Sequence, residues 1–256
     1  MHGLYLSRKC EDIVQLSHEL LGLHCWFHRN AAFSALIRGT DLNDWKTALT
    51  KTWVHHALHG VVFDELPRLL ALHSSESPGE ASFGWLGLNE EQFADLTEKI
   101  TALMEDGVYS RAEMRRIFAR DYNEETIRRV FSPWGGIFVV LANQGKVAFR
   151  DMTSRNFDLI SAEPTQTRDE VLPEMLRRYF AVYGPATLAD AAWFFGLWKE
   201  NKKKLSELDL DEFSRIEYDG NTYYYVQKGN IIQVIVMKYT QQLHILSWFL
   251  AGKNTW

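Results

Sequence analysis

Nine histidines and two clusters of cations are the residues of this chain best suited to chemistry. His55, His56 and His59 crowd one segment, and His24 and His28 another. Imidazole ligates metals and exchanges protons near neutral pH. In a strand, 55 and 59 share a face and 56 takes the other; in a helix, 55 and 59 again share a face. No cysteine or carboxylate completes a zinc set at standard spacing, so neither a metal nor another cofactor is expected. The histidines then read as structural groups or as contacts to a ligand.

The cations have a different logic. Residues 111 to 129 hold six arginines (111, 115, 116, 120, 128 and 129) against four acids. A second surplus comprises Arg177, Arg178, Lys199 and the run Lys202, Lys203, Lys204. Such a run is commonly a solvated helix face, but a local stripe of this kind is also what binding to phosphates needs. The net charge of −5 excludes a surface coated in positive charge.

These cations fall beside a repeated layout. Gly107 leads to Ser110 with Glu113 three positions on, and 77 residues later Gly184 leads to Thr187 with Asp190 three positions on. A hydroxyl followed at that spacing by a carboxylate is a capping box: each side chain satisfies an orphan amide at the start of a helix. An amphipathic helix precedes each glycine, a short helix follows, and aromatic strands come later. Helix, tight turn, helix and β-hairpin, used at least twice, is the plan of tandem winged helix-turn-helix modules, a fold mainly α with small β-hairpins (α+β). Its third helix enters a groove while basic residues meet phosphates.

The remaining elements follow from periodicity. Helices are expected over 10–23, 30–38 and 42–49, short strands within 51–63, and a leucine-rich helix from Glu65 to His73 with Asp64 as its cap. This 1–75 block reads as a degenerate first module. Residues 74–87 form a Ser/Gly-rich linker. The second module, 88–160, has helices over 89–106, 111–119 and 123–132. There IFVVLANQGKVAF after Gly135-Gly136 reads as two strands turning at Asn143-Gln144-Gly145, which fits a wing better than a phosphate loop. The third module, 168–228, carries helices over 168–183 and 188–196, a lysine-bearing helix from Trp198 to Leu208, and a hairpin turning at Asp219-Gly220. Trp193, Phe194 and Phe195 read as core rather than as a base-stacking platform. Residues 229–256 are a divergent or truncated tail.

Composition bounds the class. Hydrophobic residues are 46% and aromatics 13% of the 256, enough for folded cores. No apolar run reaches the roughly 18 residues of a membrane span. Acidic residues stand where a leader's apolar stretch would lie, and Cys10 and Cys25 suggest no disulfide framework. A cytoplasmic monomer is the simplest expectation.

The segments LRRYFAVYGPATLADAAWFFG (176–196), FSPWGGIFVV (131–140) and TWVHHALHGVVFDELPRLLAL (52–72) resemble the AlkZ-like winged-helix family. The resemblance covers roughly residues 10–228. It implies a protein that binds double-stranded DNA, related to glycosylases that hydrolyse the N-glycosidic bond of alkylated bases in DNA repair. It implies DNA contacts at His55 and His56; the winged-helix plan adds Lys199, Lys202, Lys203 and Lys204, and the local cation surplus adds Arg111 and Arg115. The family's catalytic Gln-x-Gln or Gln-x-Asp maps onto Leu21-Gly22-Leu23-His24-Cys25-Trp26, placing His24 and Trp26 at the two polar positions. On this picture the His24 imidazole faces the same groove as the cationic helices and positions a water. An indole N–H only donates, so Trp26 cannot hold that water as an acceptor. The alternative is a non-catalytic DNA-binding or regulatory relative that has lost the polar pair.

Overall fold

The computed structural model describes residues 9–72, 83–197, 205 and 208–226. The expected tail and the lysine-bearing segment with Lys199, Lys202, Lys203 and Lys204 lie outside them. Helix α1 (Ile13–Glu19) starts where the Asp12 carboxylate accepts from the Val14 amide at 2.7 Å. It ends four residues before the expected 23, because Leu21 and Gly22 take positive φ and turn the chain into β1 (Leu23–His24). Helix α2 (His28–Leu36) follows. Residues 42–49, expected as a helix, form only turns; the Asp41 carboxylate accepts from the Asn43 amide and holds the chain in an Asx turn instead.

Strands β2 (Thr50–Val54) and β3 (Ala57–Val61) make the hairpin expected within 51–63. Its two turn residues, His55 and His56, both have positive φ, 50° and 60°. A two-residue hairpin turn demands that conformation, and histidine is among the non-glycine residues that visit it. Helix α3 (Leu66–Ala71) has Pro67 in its first turn.

Helices α4 (Glu90–Glu105), α5 (Arg111–Phe118) and α6 (Glu124–Val130) sit where the apolar spacing puts them. The expected box at Ser110 is not made: Ser110 occupies the cap, but its side chain makes no capping hydrogen bond. The expected box at Thr187–Asp190 is made, and two further boxes form at Asn89–Gln92 and Thr167–Glu170. The larger correction is α7 (Ile137–Asn143), a helix where a strand was expected. Ile137, Phe138, Val140, Leu141 and Ala142 are all buried in it. A run apolar on every side has no readable period, and helix and strand are then told apart only by the surroundings. The strands come later, as β4 (Val147–Phe149) and β5 (Phe157–Leu159). Helices α8 (Arg168–Tyr183) and α9 (Leu188–Phe194) and the hairpin β6 (Ser214–Tyr218) with β7 (Asn221–Tyr225) end the described chain.

The architecture is mixed α+β. Five strands form one antiparallel sheet in the order β1-β3-β2-β4-β5, and β6 pairs with β7 alone. The junction is β2 with β4, Lys51 opposite Phe149, so the hairpins of the first and second segments share a sheet. Three cores flank it. One holds α1, α2 and β1; a second packs α4 to α7 with Trp53, Phe149 and Phe157; the third packs α3, α8 and α9 with Val54 and Val61. Of the aromatic run, Phe195 is fully buried in the third core. Trp193, expected there too, is 68% exposed because the helix turns it outward.

Candidate nucleic-acid interface

A cleft of about 700 Å3 opens over the β2–β4 junction. Its floor is Lys51, Trp53, Leu58 and Phe149 from three strands. One wall is Trp26, Phe27 and His28, where the chain leaves β1 for α2. The facing wall is the first turn of α5 (Arg111, Ala112, Arg115) with Phe131, Pro133 and Trp134 from the α6–α7 turn. The β4–β5 loop, Thr153 to Asn156, forms the rim. None of the described residues lining it is Asp or Glu, while Lys51, Arg111, Arg115 and Arg155 are all cationic.

The four cations are held differently. Lys51 is only 8% exposed; its ammonium donates to the Ser154 carbonyl at 3.3 Å and lies 4.2 Å from the centre of the Phe149 ring. Burial lowers its pKa, with Arg155 adding to that effect and Cys25 and Asp151 opposing it. Arg111 donates to the Ser132 carbonyl at 2.6 Å and lies over Phe157. Burial, then repulsion from Arg155, lowers its pKa. Arg115 and Arg155 are exposed. The rim loop that carries Arg155 is pinned by the Asp151 carboxylate, which accepts from the Thr153 and Ser154 amides at 2.7 Å each.

Several other arginines are paired with acids. Arg128 and Arg129 share Glu125, Arg150 pairs with Asp158, and Arg177 with Glu212. Arg178 is held between Glu65 and the His18 carbonyl, tying α8 to the first segment. Of the expected contacts, Arg111 and Arg115 therefore do come together in one cleft. They are joined by Lys51, Arg155, Trp53 and Trp134, which sequence reasoning passed over. The only signals for these were a lysine heading a strand and a tryptophan between Pro133 and Gly135.

The expected histidines lie elsewhere. His24 is exposed, as the strand alternation around buried Leu23 and Cys25 requires, but it does not line the cleft. Its register partner is His59, whereas Leu23 and Lys51 both stand opposite Gly60. Partners across a ladder share a face, so His24 projects from the other side of the sheet from Lys51. This corrects the expectation that it shares the cationic groove. Trp26 reaches the cleft because the chain leaves the sheet after Cys25, whose amide donates to the Leu58 carbonyl at 2.8 Å. His55 is buried: its Nε2 lies 3.0 Å from the Leu21 carbonyl and its ring 4.3 Å from Phe194. That interior position removes it from any phosphate-contacting surface. His56 is exposed over Gly196, where an added Cβ would come within 2.1 Å of its Nε2.

His24, His59 and His55 form a chain of edge-on rings with centroids 5.5 and 5.4 Å apart. Among the described residues no group of His, Cys, Asp or Glu is placed to hold a metal. Burial is what drives His59 from its ordinary value near 6.5 to about 4. Its protonation is therefore resisted in the folded state but not in the unfolded one. Both states are neutral above 6.5; below it the unfolded chain binds the proton first, so stability falls as pH drops from 6.5 towards 4. Thermal melts should show a loss of about 2 kcal/mol at pH 5 relative to pH 7. His59→Gln should flatten that slope, and an unchanged slope would refute the assignment.

The fold is a sheet-centred α+β one, and the described lining of its cleft carries cations and aromatic rings and no carboxylate. A family model described as DNA glycosylase AlkZ-like matches residues 43–234, and the chain belongs to that family. A solved structure with the same fold is the Streptomyces sahachiroi DNA glycosylase AlkZ, at a TM-score of 0.62 and 22% identity. That match covers 89% of this chain and 67% of the other. No curated protein matches the chain. The family match begins at residue 43, so His24 and Trp26 lie ahead of it. Among the described residues no helix is long and apolar enough to cross a membrane.

Proposed function

We propose that this chain binds double-stranded DNA through the cleft between Trp26, Lys51, Arg115 and Arg155. On this reading it is a DNA-repair relative built from three winged helix-turn-helix units, 1–75, 88–160 and 168–228. One observation carries the reading: four cations converge on a cleft whose described lining has no carboxylate, while Arg128, Arg129, Arg150 and Arg177 are each paired with an acid. Phosphates would displace counterions there, so affinity falls steeply with salt. Titrating a labelled duplex at several salt concentrations tests this. A linear fall of log affinity with log salt supports it, and binding that ignores salt would sink it.

The second reading is hydrolysis of the N-glycosidic bond of an alkylated base. Family membership favours it, but His24, on the sheet face away from Lys51, would position a water only for a base bound on that other face. His24 is solvent-accessible, and partial burial lowers its pKa, so the imidazole is neutral at pH 7 and able to accept a proton. Trp26 supplies no second acceptor. Release of 7-methylguanine that His24→Ala abolishes, with DNA affinity intact, would establish hydrolysis. Binding without release leaves the non-catalytic relative.

A further inference from the structure

Trp26 and Trp134 are stacked, with ring centroids 5.6 Å apart and planes 21° apart. Yet neither is buried: Trp26 is 37% exposed and Trp134 71%. Indoles left this open are not holding a core together, and a cluster of them marks a binding surface. Both line the cleft described above. We propose that this indole pair is a platform on which a single unpaired nucleobase stacks, with its flanking phosphates against Arg115 and Arg155. The proposal rests on the DNA-binding reading and specifies what that cleft recognises.

The chemistry of the ligand follows from the geometry. A base inside a duplex shows only its edge, because both of its faces are covered by neighbours. Only an extrahelical or single-stranded base has a free π-face to lay on the exposed side of Trp134. Stacking of this kind tolerates sequence, since every base has such a face. The site is also prepared in advance. The turn that presents Trp134 is closed by the Gly135 amide donating to the Ser132 carbonyl at 3.0 Å and the Trp134 amide to the Ser132 hydroxyl at 3.3 Å. Trp26 follows the backbone bond from Cys25 to Leu58. Rings already held in place lose little freedom when a ligand arrives. The cleft volume of about 700 Å3 also falls within the roughly 300–1,000 Å3 typical of small-ligand sites.

The test uses the full chain with three probes: a paired duplex, the same duplex with one bulged adenine, and the single strand. The wild type should prefer the bulged duplex over the paired one by about tenfold, with quenching of tryptophan emission. Trp134→Ala should erase that preference, lowering affinity for the bulged duplex about tenfold more than for the paired one while keeping the salt slope set by the arginines. Trp134→Phe, which keeps a ring, should retain most of it. Equal wild-type affinity for paired and bulged duplex would overturn the proposal while leaving the cleft a DNA site. An equal loss on both probes in Trp134→Ala would overturn it too. Absence of salt-dependent binding to any of the three would instead remove the DNA reading, and the platform with it.

Discussion

Arg115→Glu combined with Arg155→Glu is expected to weaken duplex binding by about 100-fold at low salt, and to make the salt slope shallower by about 2. The reasoning starts from their state in the free protein. Both are exposed, on the two sides of one cleft. Each is thus available to a phosphate, and each reversed charge both removes a contact and adds repulsion. Exposed substitutions of this kind change stability by only about 0.5 kcal/mol, so a binding loss is not an unfolding loss. Arg128→Gln with Arg129→Gln is the matched control. Those arginines already share Glu125 at 2.8 and 2.7 Å, and neutralising them should alter affinity by less than about threefold. Equal effects from the two pairs would mean that bulk charge, not the cleft, attracts the nucleic acid.

Gly136→Ala is expected to cost about 4 kcal/mol or more of stability, a large share of the roughly 5–15 kcal/mol typical of a folded protein. Gly136 sits at φ 57° and ψ −137°, a region essentially reserved for glycine. An added Cβ would lie 2.0 Å from the Val130 carbonyl oxygen and 2.7 Å from its carbon. These are backbone atoms at the end of α6, so no side-chain rotation relieves the clash. The α6–α7 turn must open, and Ile137 and Phe138, both fully buried, lose their seats. A fall in melting temperature of about 10 °C is expected at this chain length. Gly107→Ala provides the contrast: φ there is 91°, but nothing lies within 4 Å of the added carbon, so only backbone strain of about 1 kcal/mol is incurred. If Gly136→Ala melted like the wild type, the turn that presents Trp134 would be wrongly drawn.

Elements with a local signature were legible in the sequence. Helix α8 matches its expected span because Thr167 and Glu170 close a box at one end and a continuous apolar stripe runs to Tyr183. The β6–β7 hairpin turns where Asp219 and Gly220, with φ of 48° and 71°, supply the conformation a two-residue loop needs. Helix α7 was misread because its apolar residues have no solvent side to reveal a period.

The cleft was half legible for a related reason. Arg111 and Arg115 stood out as a local surplus of charge. Lys51, Trp134 and Arg155 come from separate stretches that meet only when β2 pairs with β4, and nothing near them in the chain announces that pairing. The side on which His24 projects is likewise a matter of strand register, which becomes visible only once its partner His59 is known.

That pairing carries a further consequence. The floor of the cleft is the seam itself, Lys51 from one hairpin against Phe149 from the other. A strand of nucleic acid lying along it would grip the two halves of the sheet at once and act as a rivet, so occupancy and cohesion of the sheet rise together. The same atoms that would meet the guest keep the host in one piece.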